Sequence, residues 1–139
     1  MNPILRNILA VIAALIVGVV VNAGLITISP ELIPPPEGVD VMDVESIKAH
    51  LHLYQPKHFI FPFLAHALGT LAGAYVVSRM AINHYLKLAI GIGVFFFIGG
   101  IMTAQAIPAP TWFLVSDLVG AYFPMAWLGW KLAGGNFSR

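Results

Sequence analysis

Four apolar runs, Ile8–Ile28, Phe59–Val77, Leu86–Ala106 and Trp112–Leu132, take up most of this chain. A helix needs about 20 apolar residues to cross the hydrocarbon core of a bilayer. Each run approaches or exceeds that length with few interruptions, the first being broken only by Asn22 and Thr27. Backbone amides in lipid must be satisfied within their own segment, which favours helices for runs of this kind. The composition agrees, with 59% of the 139 residues hydrophobic, 9% charged and a mean hydropathy of +0.88. Soluble domains carry about 25% charged residues, so this chain lacks the charge to cover a water-facing surface.

The expected fold is an all-α integral membrane protein: a single four-transmembrane-helix bundle over residues 1–139 with a short amphipathic helix in its outer loop. The helices are expected at about 5–28, 58–80, 86–106 and 111–133, with the loop over 29–57. Pro30, Pro34, Pro35 and Pro36 are expected to end the first helix, and Pro108 and Pro110 to separate the third from the fourth. Arg6 ahead of an apolar stretch and Val21-Asn22-Ala23 resemble a signal peptide with its cleavage site, but the apolar run continues past Ala23, so a retained helix is expected.

Basic residues set orientation. If four helices alternate, Arg6, Arg79, Lys87, Lys131 and Arg139 fall on one side, against Lys48 and Lys57 on the other. This bias puts both termini in the cytoplasm and the long loop outside, which in a bacterial cell means an inner-membrane protein with a periplasmic loop. In that loop Asp43 is placed to cap a helix running to about Tyr54, with Val44, Ile47, Leu51 and Tyr54 on one apolar face. Such a helix is expected to cap the bundle.

Ala10, Ala14, Gly18 and Asn22 form a small-residue stripe in the first helix, as do Ala65, Gly69 and Gly73 in the second. Such stripes let two backbones approach closely. Gly-Ala-Tyr occurs at residues 73–75 and again at 120–122, a hint of hairpin duplication.

Ionisable residues inside a span cost of order 3 kcal/mol each on insertion scales, so each asks for a reason. His66 and Asp117 are the two here. At about 1.5 Å rise per residue, His66 lies about 10 Å below the outer helix end, and Asp117 and Asn22 each about 9 Å below it. Thr103 and Gln105 sit at or slightly above that depth, and Thr70 shares a helix face with His66. Pro124 deprives the Gly120 carbonyl of its partner and is expected to kink the fourth helix beside Asp117. These six residues, His66, Asp117, Asn22, Thr70, Thr103 and Gln105, are the candidate ligand- or proton-binding set. A buried His–Asp bond that only fixes helix register would account for the same residues.

His50 and His58 are weaker candidates for a metal, since no H-E-x-x-H or Glu-x-x-His pair accompanies them. The chain has no cysteine, which excludes disulfides, thiolate zinc sites and thiol nucleophiles. Its net charge of +1 offers no basic patch for nucleic acid, and no pattern calls for a cofactor. Small four-helix transporters of the multidrug-resistance type are similar in size but place an acid in helix one, where this chain has Asn22.

The expected role is that of a non-catalytic subunit, accessory factor or ligand-binding module. A proton- or ion-coupled carrier or channel working as an oligomer is the alternative, and an intramembrane metal-assisted or acid–base enzyme a third. The expected partners are the lipid bilayer and either further copies of the chain or a larger membrane complex.

Overall fold

The computed structural model describes residues 1–136, so Arg139, used above for orientation, lies outside the described residues. Every regular element among the described residues is helical: α1 (Pro3–Leu32), α2 (Val44–His50), α3 (Ile60–Met80), α4 (Tyr85–Ala106), α5 (Thr111–Gly120) and α6 (Phe123–Leu132). Short 3-10 turns at Leu51–Leu53 and Pro56–Phe59 lead from α2 into α3. Three helices are long and apolar enough to cross a membrane: Pro3–Leu32, Pro56–Met80 and Tyr85–Ala106.

Residues 1–32 show how local chemistry sets a helix start. The Asn2 side chain accepts the Ile4 N–H at 2.8 Å, and Pro3 occupies a first-turn position where its missing N–H costs nothing. The end differs from the expectation, for α1 passes through Pro30 and stops at Leu32. A proline in the last turn forfeits only its own bond to the carbonyl four residues back. The Ile33 N–H still closes on the Ser29 carbonyl at 2.8 Å, so the turn survives.

The fourth apolar run departs further from a continuous span. It forms two helices of 10 residues each, parted at Ala121 and Tyr122. Pro124 explains the break, because the Gly120 carbonyl receives no i+4 amide there. The triplet Gly73-Ala74-Tyr75 by contrast lies within unbroken α3, with Tyr75 40% exposed, whereas Tyr122 is 1% exposed. The matching triplets therefore have different conformations and surroundings.

Helix α3 is the hub of the packing. It lies along α1 on one side and against α6 and α4 on others, while α5 touches its neighbours sparsely. The small-residue stripes account for the closeness of α1 and α3. Ala10 and Ala14 are fully buried, and a methyl added at Gly69 would stand 2.9 Å from the Gly18 carbonyl oxygen. The α3–α6 seam is tighter still, for a methyl at Gly129 would come within 2.5 Å of the Leu71 carbonyl oxygen and 2.9 Å of the Tyr75 nitrogen.

Polar side chains pin α1 to the turn between α3 and α4. Asn7 donates to Asn83 Oδ1 at 2.7 Å and accepts the Ile82 N–H at 3.0 Å, while Arg6 Nε donates to the Met80 carbonyl at 3.0 Å. His84 turns the chain into α4 with φ of 55°. This is the left-handed region, uncommon for a residue with a side chain.

Candidate functional site

The loop helix α2 begins as its sequence implies, with the Asp43 carboxylate accepting the Glu45 N–H at 3.1 Å. It is shorter than expected, ending at His50 and tightening into the 3-10 turn Leu51–Leu53. The apolar face remains intact through this change: Ile47 is 9% exposed, and Ile47, Leu51 and Tyr54 all line one cavity.

That cavity has a volume of about 600 Å³. The last turns of α1 and α4 supply Ile26, Pro30 and Ala104, the residue after α4 supplies Ile107, and α5 supplies Phe113 and Leu114. Its walls are mainly apolar, and both His66 and Asp117 line it. Ligand sites commonly measure about 300–1,000 Å³ and combine an apolar lining with a few placed polar groups. Among the described residues that line it there is no lysine or arginine.

His66 and Asp117 meet directly. His66 Nδ1 lies 2.8 Å from Asp117 Oδ1 and 3.0 Å from Oδ2. The Tyr122 hydroxyl donates to Oδ2 at 3.0 Å, and the Tyr122 ring stacks on the imidazole with centroids 5.8 Å apart. Asp117 is 4% exposed. A carboxylate so buried is costly unless donors surround it, and two are present here. Thr70 stands one turn along α3 and donates to the His66 carbonyl at 2.8 Å, a bond within its own helix.

The other candidates stand apart from this trio to different degrees. Thr103 lines the cavity without a place in the His66–Asp117 bonds. Asn22 packs at the α1–α3 crossing, where its Cβ would meet a methyl on Gly69 at 3.1 Å, and it does not line the cavity. Gln105 is exposed and also lies outside the cavity lining. The two loop histidines spend one ring nitrogen each on nearby backbone. His50 Nδ1 lies 2.8 Å from the Ser46 carbonyl oxygen, and His58 Nδ1 accepts the Gln55 N–H at 2.8 Å. His58 lines the cavity and His50 does not. Among the described residues no group of three or more His, Asp or Glu side chains is gathered closely enough to hold a metal ion.

Tyr122 was not among the sequence candidates, and periodicity could not have found it. It lies five positions from Asp117. On a continuous helix that is about 140° around the axis, and only the break brings its hydroxyl to the carboxylate. Pro124 was the available signal. Tyr54, half-buried on the cavity wall, is a second phenol there, and its partial burial raises the hydroxyl above its ordinary range.

The fold and site together define an all-helical protein with three apolar helices of membrane-spanning length and an apolar cavity reaching a buried His–Asp–Tyr cluster. Compared with known proteins, the chain matches no family model, no curated protein and no solved structure.

Proposed function

We propose that this chain is a four-span membrane protein that binds an apolar ligand in the cavity beneath α2, acting as a ligand-binding module or as the binding subunit of a larger assembly. The observation that carries the reading is the cavity itself, about 600 Å³ of mainly apolar lining with a hydrogen-bonded polar cluster on its wall. A His–Asp bond that only fixed helix register would need no such volume beside it. The broken α5–α6 pair serves as the fourth span, since irregular backbone is tolerated at membrane depth where it is buried in protein or lines a cavity.

Filling the cavity tests this reading. Ala104 lines it and takes no part in the His66–Asp117–Tyr122 bonds. Ala104→Phe should leave the fold intact and weaken binding of an environment-sensitive apolar dye by roughly tenfold or more, as expected when aromatic volume replaces ligand volume. Unchanged dye binding in a folded Ala104→Phe protein would remove the cavity from the proposal.

The membrane placement has its own support in the outward face of α1, where Ile8, Ile12, Ile16, Val19 and Val20 are all exposed. In water such a face would be a costly contiguous patch, whereas in lipid it is ordinary. With the orientation set by the basic residues, the cavity and α2 belong to the outer side of a cell inner membrane and both termini to the cytoplasm. Glu37 and Lys87 are exposed and outside the described side-chain bonds. Cysteines replacing them should label from opposite sides of intact cells with an impermeant maleimide, and labelling of both from outside would refute the orientation.

The alternative of a proton- or ion-coupled carrier draws on the same titratable pair beside a broken helix. A saturable proton-dependent flux in liposomes, lost in Asp117→Asn, would favour it over a binding module.

A further inference from the structure

We infer that the cavity opens sideways between the outer ends of α1 and α4, and that its occupant is a hydrocarbon chain of a membrane lipid entering from the outer leaflet. The inference rests on the membrane-bound binding-module reading and adds the ligand's class and its route.

The exposure of the lining residues marks the mouth. Ile47 on α2, Phe59 just ahead of α3, and Phe113 and Asp117 on α5 line the cavity and are buried. Six lining residues are exposed: Ile26 and Thr27 on α1, Val41 and Met42 in the loop leading to α2, Thr103 near the end of α4 and Ile107 just past it. None of the six belongs to α3 or α5. The wall is therefore closed where those two helices form it and open between α1 and α4.

The packing of α1 and α4 accounts for the gap. Both are seated on α3 and touch each other sparsely. They meet deeper in the bundle, where a methyl on Gly18 would stand 2.6 Å from Phe96 Cζ. At a rise of about 1.5 Å per residue, Ile26 stands about 12 Å farther out than Gly18, and Thr103 about 10 Å farther out than Phe96. Above Phe96, α4 turns Gly100, Thr103 and Ala104 to the cavity, all of them small.

The chemistry of the rim indicates what it faces. None of the six exposed residues is charged, and four are apolar. The Thr27 hydroxyl is already donated to the Ala23 carbonyl at 2.7 Å. Glu31, Glu37, Asp40, Asp43 and Glu45 are all exposed, and none of them lines the cavity. Towards the water, α2 roofs the space with Ile47 while Leu51 and Tyr54 follow it on the same wall. An apolar rim open to water would be a costly patch, but this one continues the outward face of α1, where Ile16, Val19 and Val20 are exposed. Lipid chains already lie against such a surface. A chain that slips past the rim loses no hydration and gains the dispersion contacts that an empty space forfeits.

A phospholipid with a diazirine at the end of one acyl chain tests the route in nanodiscs. After photolysis, peptide mapping should find adducts on Ile47 and Phe113, which bulk lipid cannot touch, as well as on Ile12 and Ile16 of the outward α1 face. The chain contains no cysteine, so Thr103→Cys provides a single site at the mouth. Alkylation of the folded variant with a bulky maleimide should abolish the adducts on Ile47 and Phe113 and leave those on Ile12 and Ile16. If Thr103→Cys does not fold, Ile26→Cys on the facing rim takes its place in the same test.

Adducts on the two buried residues that survive alkylation would overturn the proposed mouth. Labelling of those residues by a short water-soluble alkyl diazirine but not by the phospholipid would show filling from the aqueous side beneath α2, overturning the inference and leaving the cavity reading intact. If neither reagent reaches Ile47 or Phe113, the cavity reading falls together with the inference.

Discussion

Replacing Gly129 with valine should cost about 3 kcal/mol of stability, at the upper end of what overpacking usually costs. The obstacle is main chain, since a methyl there would stand 2.5 Å from the Leu71 carbonyl oxygen and 2.9 Å from both the Tyr75 nitrogen and Ala74 Cβ. Those atoms belong to α3, the hub that also carries α1, so they cannot retreat without opening a second seam. Separation of α6 from α3 would also expose Trp130, now 1% exposed. The measurement is the folded fraction in a mixed-detergent titration, followed by circular dichroism. Gly91→Val is the control, because a methyl at Gly91 meets nothing within 4 Å. It should behave nearly as the unsubstituted protein. Equal stability of the two variants would show that the α3–α6 contact is looser than the structure has it.

Asp117→Ala is expected to cost nearly as much, for a different reason. It removes the acceptor of two donors at once, leaving the Tyr122 hydroxyl and one imidazole nitrogen buried without a partner. Each orphaned buried group costs about 1–3 kcal/mol, so a loss of roughly 3 kcal/mol is expected. Tyr122→Phe alone takes away one donor but leaves Asp117 bonded to His66, and should cost about 1 kcal/mol. The two changes should not add. In the background of Asp117→Ala, Tyr122→Phe should be neutral or stabilising, because it removes a group that has already lost its acceptor. Additive losses in that double-mutant cycle would mean that the Tyr122 hydroxyl and the carboxylate act independently.

What could be read from the sequence was the part fixed by local chemistry and by the cost of an unpaired polar group in apolar surroundings. The apolar runs mark the helices because no other backbone satisfies itself along such a stretch. Asp43 marks the start of α2 because a carboxylate there meets the free amides of the first turn. His66 and Asp117 pointed to one another because neither is easily left unpaired within an apolar run, and they do meet.

Other features depend on relations between segments. Asn22 shares the depth of the pair, yet it faces the Gly69 crossing, because the stripe Ala10–Ala14–Gly18 turns that side of α1 towards α3. Equal depth fixes one coordinate of a side chain and leaves its rotation about the helix open. Gln105 matched by depth in the same way and is exposed. Tyr122 required the break, and the break required weighing Pro124 as a stop rather than as a kink. The cavity has no sequence signature, being the space left where α2, α4 and α5 do not fill the outer face of α3.

The division of the fourth run bears on how that space behaves in time. Helix α6 is clasped by α3 and α4, whereas α5 is held sparsely and shares no continuous hydrogen-bond ladder with α6. A segment with few buried contacts opens at a free energy well below that of global unfolding, as a cooperative unit of its own. The Asp117 bonds to His66 on α3 and to Tyr122 beyond the break therefore act as the latch of that unit. The state of the latch and the posture of the α5 wall then belong to one equilibrium. A molecule that competed for the imidazole would loosen the wall behind which it lay, and one that left the latch intact would be shut in by it.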